Sequence, residues 1–114
     1  MKIEGTHYLA DIWLDSMPNE GALTSIIKEG LGLSEVEILE TVSHTFGEKA
    51  FTFLALLAES HFSIHTFPEE DYISIDCYTC GDNAKPDRCI NHILSKLNIK
   101  RSNVSAMKRG KDER

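Results

Sequence analysis

Residues 51–79 leave this chain few folds to choose from. Phe51-Thr52-Phe53-Leu54-Ala55-Leu56-Leu57-Ala58 is almost wholly apolar. Such a run reads as a central strand, buried on both sides or with one side in a dimer contact. Residues 61–67 and 72–79 follow as two further strands joined around Pro68-Glu69-Glu70-Asp71. In the second, Ile73, Ile75 and Cys77 alternate with Ser74, Asp76 and Tyr78, the period of a half-buried strand. Consecutive strands with short connections pair antiparallel, because a parallel return needs a crossover.

The flanks complete the pattern. Residues 6–14 are rich in strand formers. Pro18 stands near the start of a helix carrying Leu23, Ile26 and Ile27, with Gly30 and Gly32 as its expected stops. Residues 36–46 read as a strand. Gly81-Asp82-Asn83 is the expected break after residue 79, and Pro86 opens a second helix with Ile90, Ile93, Leu94 and Leu97 on one stripe. A short last strand is expected near 100–107. The order β-α-β-β-β-β-α-β predicts an α+β domain, a two-layer sandwich of a mainly antiparallel sheet with two helices on one face. No linker or repeat divides residues 1–114, so one domain is expected.

Composition narrows the function. With 41% hydrophobic residues the chain builds a core without disulfides or metal. A net charge of -6 argues against nucleic acid and anionic membranes as partners. The basic residues of 108–114 are interleaved with acids and read as a solvated tail. No apolar run approaches the roughly 20 residues that span a bilayer, and the first residues lack a signal-peptide core. The expected location is the cytoplasm, where the three cysteines stay free thiols.

The chemistry concentrates in "AESHFSIHTFPE", residues 58–69. Glu59, Ser60 and His61 are consecutive, with His65, Glu69 and Cys80 further on. A hydroxyl, an imidazole and a thiol are the parts of covalent catalysis. No G-x-S-x-G elbow surrounds Ser60, so a hydrolase triad is not supported. Taken singly, a serine at a strand end is commonly a turn residue and a strand histidine commonly faces solvent. Cys77-Tyr78-Thr79-Cys80 is a C-x-x-C, but it closes a strand and lacks a second pair, so no metal site is expected.

Together, Glu59-Ser60-His61, Ser63-Ile64-His65-Thr66, Pro68-Glu69 and Asp76-Cys77-Tyr78-Thr79-Cys80-Gly81, with Gly5-Thr6-His7 near the start, resemble the short prokaryotic S-adenosylmethionine decarboxylases. The resemblance implies a chain that cuts itself. Ser60 Oγ attacks the Glu59 carbonyl. The ester then eliminates to release 1–59 (the beta chain), and 60–114 (the alpha chain) is left with a pyruvoyl group as its covalent cofactor, needing no metal or pyridoxal phosphate. It implies that His65 promotes processing and that Thr52 assists by hydrogen bonding. Cys80 returns a proton to the substrate's α-carbon, Phe46 and Phe67 stack on the adenine, and Glu69 binds the ribose. The pyruvoyl carbonyl forms a Schiff base with S-adenosylmethionine, and the product serves spermidine synthesis. A homodimer is implied, with both chains contributing to each site.

Two departures stand out. Glu48-Lys49-Ala50-Phe51-Thr52-Phe53 replaces the family's glycine-containing approach to the buried strand, and Phe67 stands where tryptophan is common. They leave two alternatives: a pyruvoyl-dependent arginine or ornithine decarboxylase, and a non-processing, catalytically silent paralogue that binds a partner or ligand. Strand phase adds a condition. Residues 60 and 65 differ by an odd number and point to opposite faces of a straight strand. For His65 to reach Ser60 the chain must bend, bulge or turn at 59–61, with strain or unusual dihedrals there, and a regular straight strand through 58–65 would count against the mechanism.

Overall fold

The computed structural model describes residues 4–80 and 84–110. The elements are β1 (Gly5–Leu14), α1 (Glu20–Leu33), β2 (Ile38–Phe46), β3 (Ala50–Leu57), β4 (Ser60–Phe67), a 3-10 turn (Pro68–Glu70), β5 (Tyr72–Cys80), α2 (Pro86–Lys96) and β6 (Ile99–Arg109). This is the expected order. The strands form one antiparallel sheet, β2-β3-β4-β5-β1-β6. The expected break at 81–83 and residues 111–114 of the tail lie outside the described residues.

The helices lie on one face because the strands alternate. Ala10, Ile12 and Leu14 of β1 are buried, as are Phe51, Phe53, Ala55 and Leu57 of β3, Phe62 and Ile64 of β4, and Ile73, Ile75 and Cys77 of β5. Leu23, Ile27 and Leu31 of α1 and Cys89, Ile90 and Ile93 of α2 close the core from above. Each such aliphatic or aromatic side chain contributes about 1.5–3 kcal/mol on leaving water. Among the described residues nothing covers the sheet's other face. Leu9, Val42, Leu54, Leu56 and Met107 stand exposed on it. The apolar run of β3 is therefore buried on one side only in this chain.

Three expectations change. Gly30 and Gly32 do not stop α1, which runs to Leu33 and is capped by Ser34. Gly30 is instead where α2 crosses, since a Cβ there would lie 3.1 Å from Cys89 Sγ and 3.2 Å from its Cα. The last strand is longer than expected. Lys108 and Arg109 belong to β6 rather than to a solvated tail, because β1 offers them a full pairing edge.

Candidate functional site

Ala58 and Glu59 form the two-residue link between β3 and β4, closed by the Leu57–Ser60 pair. Glu59 has φ 64°, the left-handed region, which costs a side-chain-bearing residue about 1 kcal/mol or more. The strain thus falls on the residue whose carbonyl precedes Ser60. Ser60 is 8% exposed and faces the helix layer. Its Oγ donates to the Ala58 carbonyl at 3.4 Å and accepts the Cys80 N–H at 3.3 Å. The turn therefore holds hydroxyl and thiol residue together across two strands.

Cys80 ends β5 and pairs with Gly5 of β1. A Cβ on Gly5 would run into the Thr79 carbonyl and lie 3.2 Å from Cys80 Sγ and 3.1 Å from Tyr78 Cε1. Only glycine lets β1 come this close. Hydrogen bonding with Cys80, then burial, pushes the Tyr78 phenol above its ordinary value, and Arg109 opposes this. One row further in, His61, Tyr78 and His7 are cross-strand neighbours. His7 Nε2 meets the Asp76 carboxylate, and His61 Nε2 lies 3.6 Å from it. These three residues bring possible metal-ligand atoms within 4.8 Å of one another. Arg109, however, faces His7 Nδ1 at 3.1 Å. A guanidinium only donates, so the ring proton sits on Nε2 towards Asp76 and that lone pair is spent. The cluster is a hydrogen-bonded network.

The other predicted residues gather elsewhere. Thr52 Oγ1 and His65 Nδ1 are 2.8 Å apart on the uncovered face. With Phe46, Phe67 and Glu69 they line a cavity of about 530 Å³, whose floor includes Ala50. Phe46 and Phe67 are half exposed, at 52% and 47%, so their rings are free to receive a flat ligand. His44 packs edge-on to Phe46 at 4.5 Å.

The seven residues thus form two half-sites. Ser60 and Cys80 lie at one end of β4; Phe46, Thr52, His65, Phe67 and Glu69 lie at the other. Glu59 does bring the unusual dihedral expected there. The chain turns at Ala58–Glu59, but that turn does not carry His65 to Ser60, because β4 runs regularly from Ser60 to Phe67 with strict alternation of buried and open positions. Five residues at about 3.3 Å each put some 16 Å between them, on opposite faces. Parity also separates the C-x-x-C, with Cys77 buried under the helices and Cys80 half-buried on the other side. Burial pushes the Cys77 thiol up to about 12, with Asp76 adding to it. Sequence reading passed over Asp76, Tyr78 and Arg109 as site residues; the available signal for the first two was the parity they share with Cys80 on β5.

The family model for S-adenosylmethionine decarboxylase matches residues 6–110. A protein of Oceanobacillus iheyensis named S-adenosylmethionine decarboxylase proenzyme is 35% identical over 85% of this chain and 79% of its own length. One of the same name from Pyrobaculum neutrophilum is 37% identical over 84% of this chain and 81% of its own. The crystal structure of the adenosylmethionine decarboxylase from Aquifex aeolicus superposes with a TM-score of 0.86 at 29% identity, covering 99% of this chain and 96% of that one.

Proposed function

The chain belongs to the S-adenosylmethionine decarboxylase family, and from that premise we propose that it is a proenzyme that cuts itself between Glu59 and Ser60 and then decarboxylates S-adenosylmethionine. The observation that carries this reading is the setting of Ser60. It is a buried hydroxyl directly after a strained left-handed residue, and its Oγ accepts the Cys80 N–H.

Ser60 Oγ adds to the Glu59 carbonyl carbon and displaces the amide nitrogen, giving an ester. Loss of the Ser60 α-proton expels the Glu59 carboxylate and leaves a dehydroalanine at residue 60. Water then releases ammonia, leaving 60–114 with a pyruvoyl end and 1–59 as the second fragment. The residues present fit such a group: Ser60 is buried, its Oγ accepts the Cys80 N–H, and the Cys80 thiol stands on the sheet's other face at the same end of β4 as the proposed acid. The pyruvoyl carbonyl would condense with the substrate's amine and take up the electrons that CO₂ leaves. Cys80 returns the proton to the substrate's α-carbon. Phe46 and Phe67 hold the adenine between them, where stacking and cation–π attraction also suit a sulfonium. Glu69 accepts from the ribose hydroxyls.

His65, with Thr52 on its Nδ1, takes the Ser60 α-proton, and it does so in a second copy of the chain. The separation of the half-sites along β4 supports this, as does an uncovered face carrying Leu9, Val42, Leu54, Leu56 and Met107. An isologous homodimer that stacks two such faces would set the Cys80 side chain and the β3–β4 turn of each chain against the partner's cavity end. The substrate's carbons would then leave as the aminopropyl donor for spermidine. The described residues hold no helix long and apolar enough to cross a membrane. The free buried thiols accord with work in the cytoplasm.

The test is intact mass and CO₂ release on purified protein, with S-adenosylmethionine, arginine and ornithine compared. Two fragments, a carbonyl-blocked end at residue 60 and release from S-adenosylmethionine are expected. A free amine at residue 60 in cut protein refutes the mechanism. Release from a basic amino acid instead transfers the chemistry to another substrate, and an uncut chain points to a silent binder.

A further inference from the structure

Four side chains stack in one line across the uncovered face. Phe67 of β4 pairs with Tyr72 of β5, Tyr72 with Trp13 of β1, and Trp13 with Arg101 of β6. Phe67 and Tyr72 have centroids 5.4 Å apart and planes 29° from parallel. Tyr72 and Trp13 follow at 5.1 Å and 32°. The Arg101 guanidinium closes the line 4.2 Å from the Trp13 ring centre. Tyr72 is pinned at its far end, where its hydroxyl donates to the Asp11 carboxylate. Burial and that bond both raise its phenol, so the proton stays in place.

The line ends in the cavity, because Phe67 is both its last member and a cavity wall. Phe67 closes β4 directly before the Pro68–Glu70 turn and is half exposed. Tyr72 is the ring stacked on it. We infer that Tyr72 is a positioning residue, holding Phe67 as a fixed wall against which the adenine of the substrate stacks. Trp13 and Arg101 back Tyr72 in turn. The inference rests on the proposed adenine role of Phe67 and adds what fixes that ring. An unbacked Phe67 would turn about its χ angles, and a base stacking on it would lose part of its attraction to ordering the ring. Removing one aromatic neighbour should cost about three- to tenfold in affinity.

Trp13 is the chain's one tryptophan, so the line carries its own reporter. The probe is adenosine, which has no carboxylate to lose, titrated onto cut protein while Trp13 emission is followed. Tyr72→Leu should weaken adenosine by about three- to tenfold and raise KM with kcat little changed. Tyr72→Phe keeps the stacked ring but loses the bond to Asp11, and should lose less affinity than Tyr72→Leu does. In a Phe67→Leu background Tyr72→Leu should have almost no further effect, since it acts through Phe67. The same loss in both backgrounds, or undiminished binding by Tyr72→Leu, overturns the inference. Should Tyr72→Leu fail to fold, Arg101→Leu at the exposed end gives the same comparison in a smaller step. Adenosine that does not bind wild type at all also overturns it. CO₂ release from S-adenosylmethionine by that same wild-type protein shows separately whether the proposed activity stands.

Discussion

Two dead variants should rescue each other. Ser60→Ala removes the hydroxyl proposed to open the peptide, and His65→Asn removes the base proposed to take the α-proton. Within one chain β4 keeps these positions some 16 Å apart on opposite faces, farther than an imidazole reaches. If each site draws Ser60 from one chain and His65 from its partner, a mixed dimer holds one intact and one doubly broken site. Co-expression at equal levels with random pairing makes about half the dimers mixed. About a quarter of all sites are then whole, and about half of the His65→Asn chains should appear as fragments 1–59 and 60–114. The Ser60→Ala chains should stay entirely uncut. A tag on each chain distinguishes them on a denaturing gel. If both residues served the same chain, no mixture would be cut at any ratio. Complete absence of fragments, with both variants folded and dimeric by size exclusion, would refute the two-chain site.

Replacing Glu59 by glycine relieves the left-handed strain. In the uncuttable Ser60→Ala background it should stabilise by about 1 kcal/mol, raising the melting temperature by roughly 4 °C or more, and in the active chain it should slow cutting about fivefold; a lower melting temperature would count against strain at this turn. Cys80→Ala should leave the cut intact and slow turnover by about a hundredfold or more, and iodoacetamide should label Cys80 ahead of buried Cys77 and Cys89 in the native protein. Gly5→Ala should damage turnover as well, because its methyl runs into the Thr79 carbonyl next to Cys80 and crowds Cys80 Sγ; full activity would show that β1 need not come so close. Cys77 bears on alkaline stability. Its thiol titrates near 9.0 when unfolded and is pushed up to about 12 by burial and Asp76. The unfolded chain thus loses this proton first, and stability present below pH 9.0 falls as pH rises towards 12, by about 1 kcal/mol per unit. Cys77→Ala should flatten that fall in denaturant titrations, and an unchanged slope would refute the assignment.

How much was legible varies with the range of the interaction. The strands of 51–79 and the helix at Pro86 were readable because periodicity is local. The end of α1 was misread. Gly30 looks like a stop within its own helix, and only the approach of Cys89 from α2 explains a glycine there. Lys108 and Arg109 looked like tail because their reason for order is β1, about a hundred residues earlier. Lys108 Nζ reaches Thr6 Oγ1 at 3.0 Å, and Arg109 reaches His7.

By itself the sequence determined the parts and the faces they prefer. The Glu59-Ser60 step, the imidazole at 65 and the thiol at 80 are covalent facts, and their parity already forbade Ser60 and His65 from meeting on a straight strand. Tertiary structure alone decided how that conflict resolves. It placed β1 between β5 and β6, bringing Gly5, His7 and Arg109 to Cys80, and kept β4 straight, dividing the site in two. Register and strand order belong to pairs of distant segments, whose energy arises only once both are paired, so no stretch of residues carries them alone.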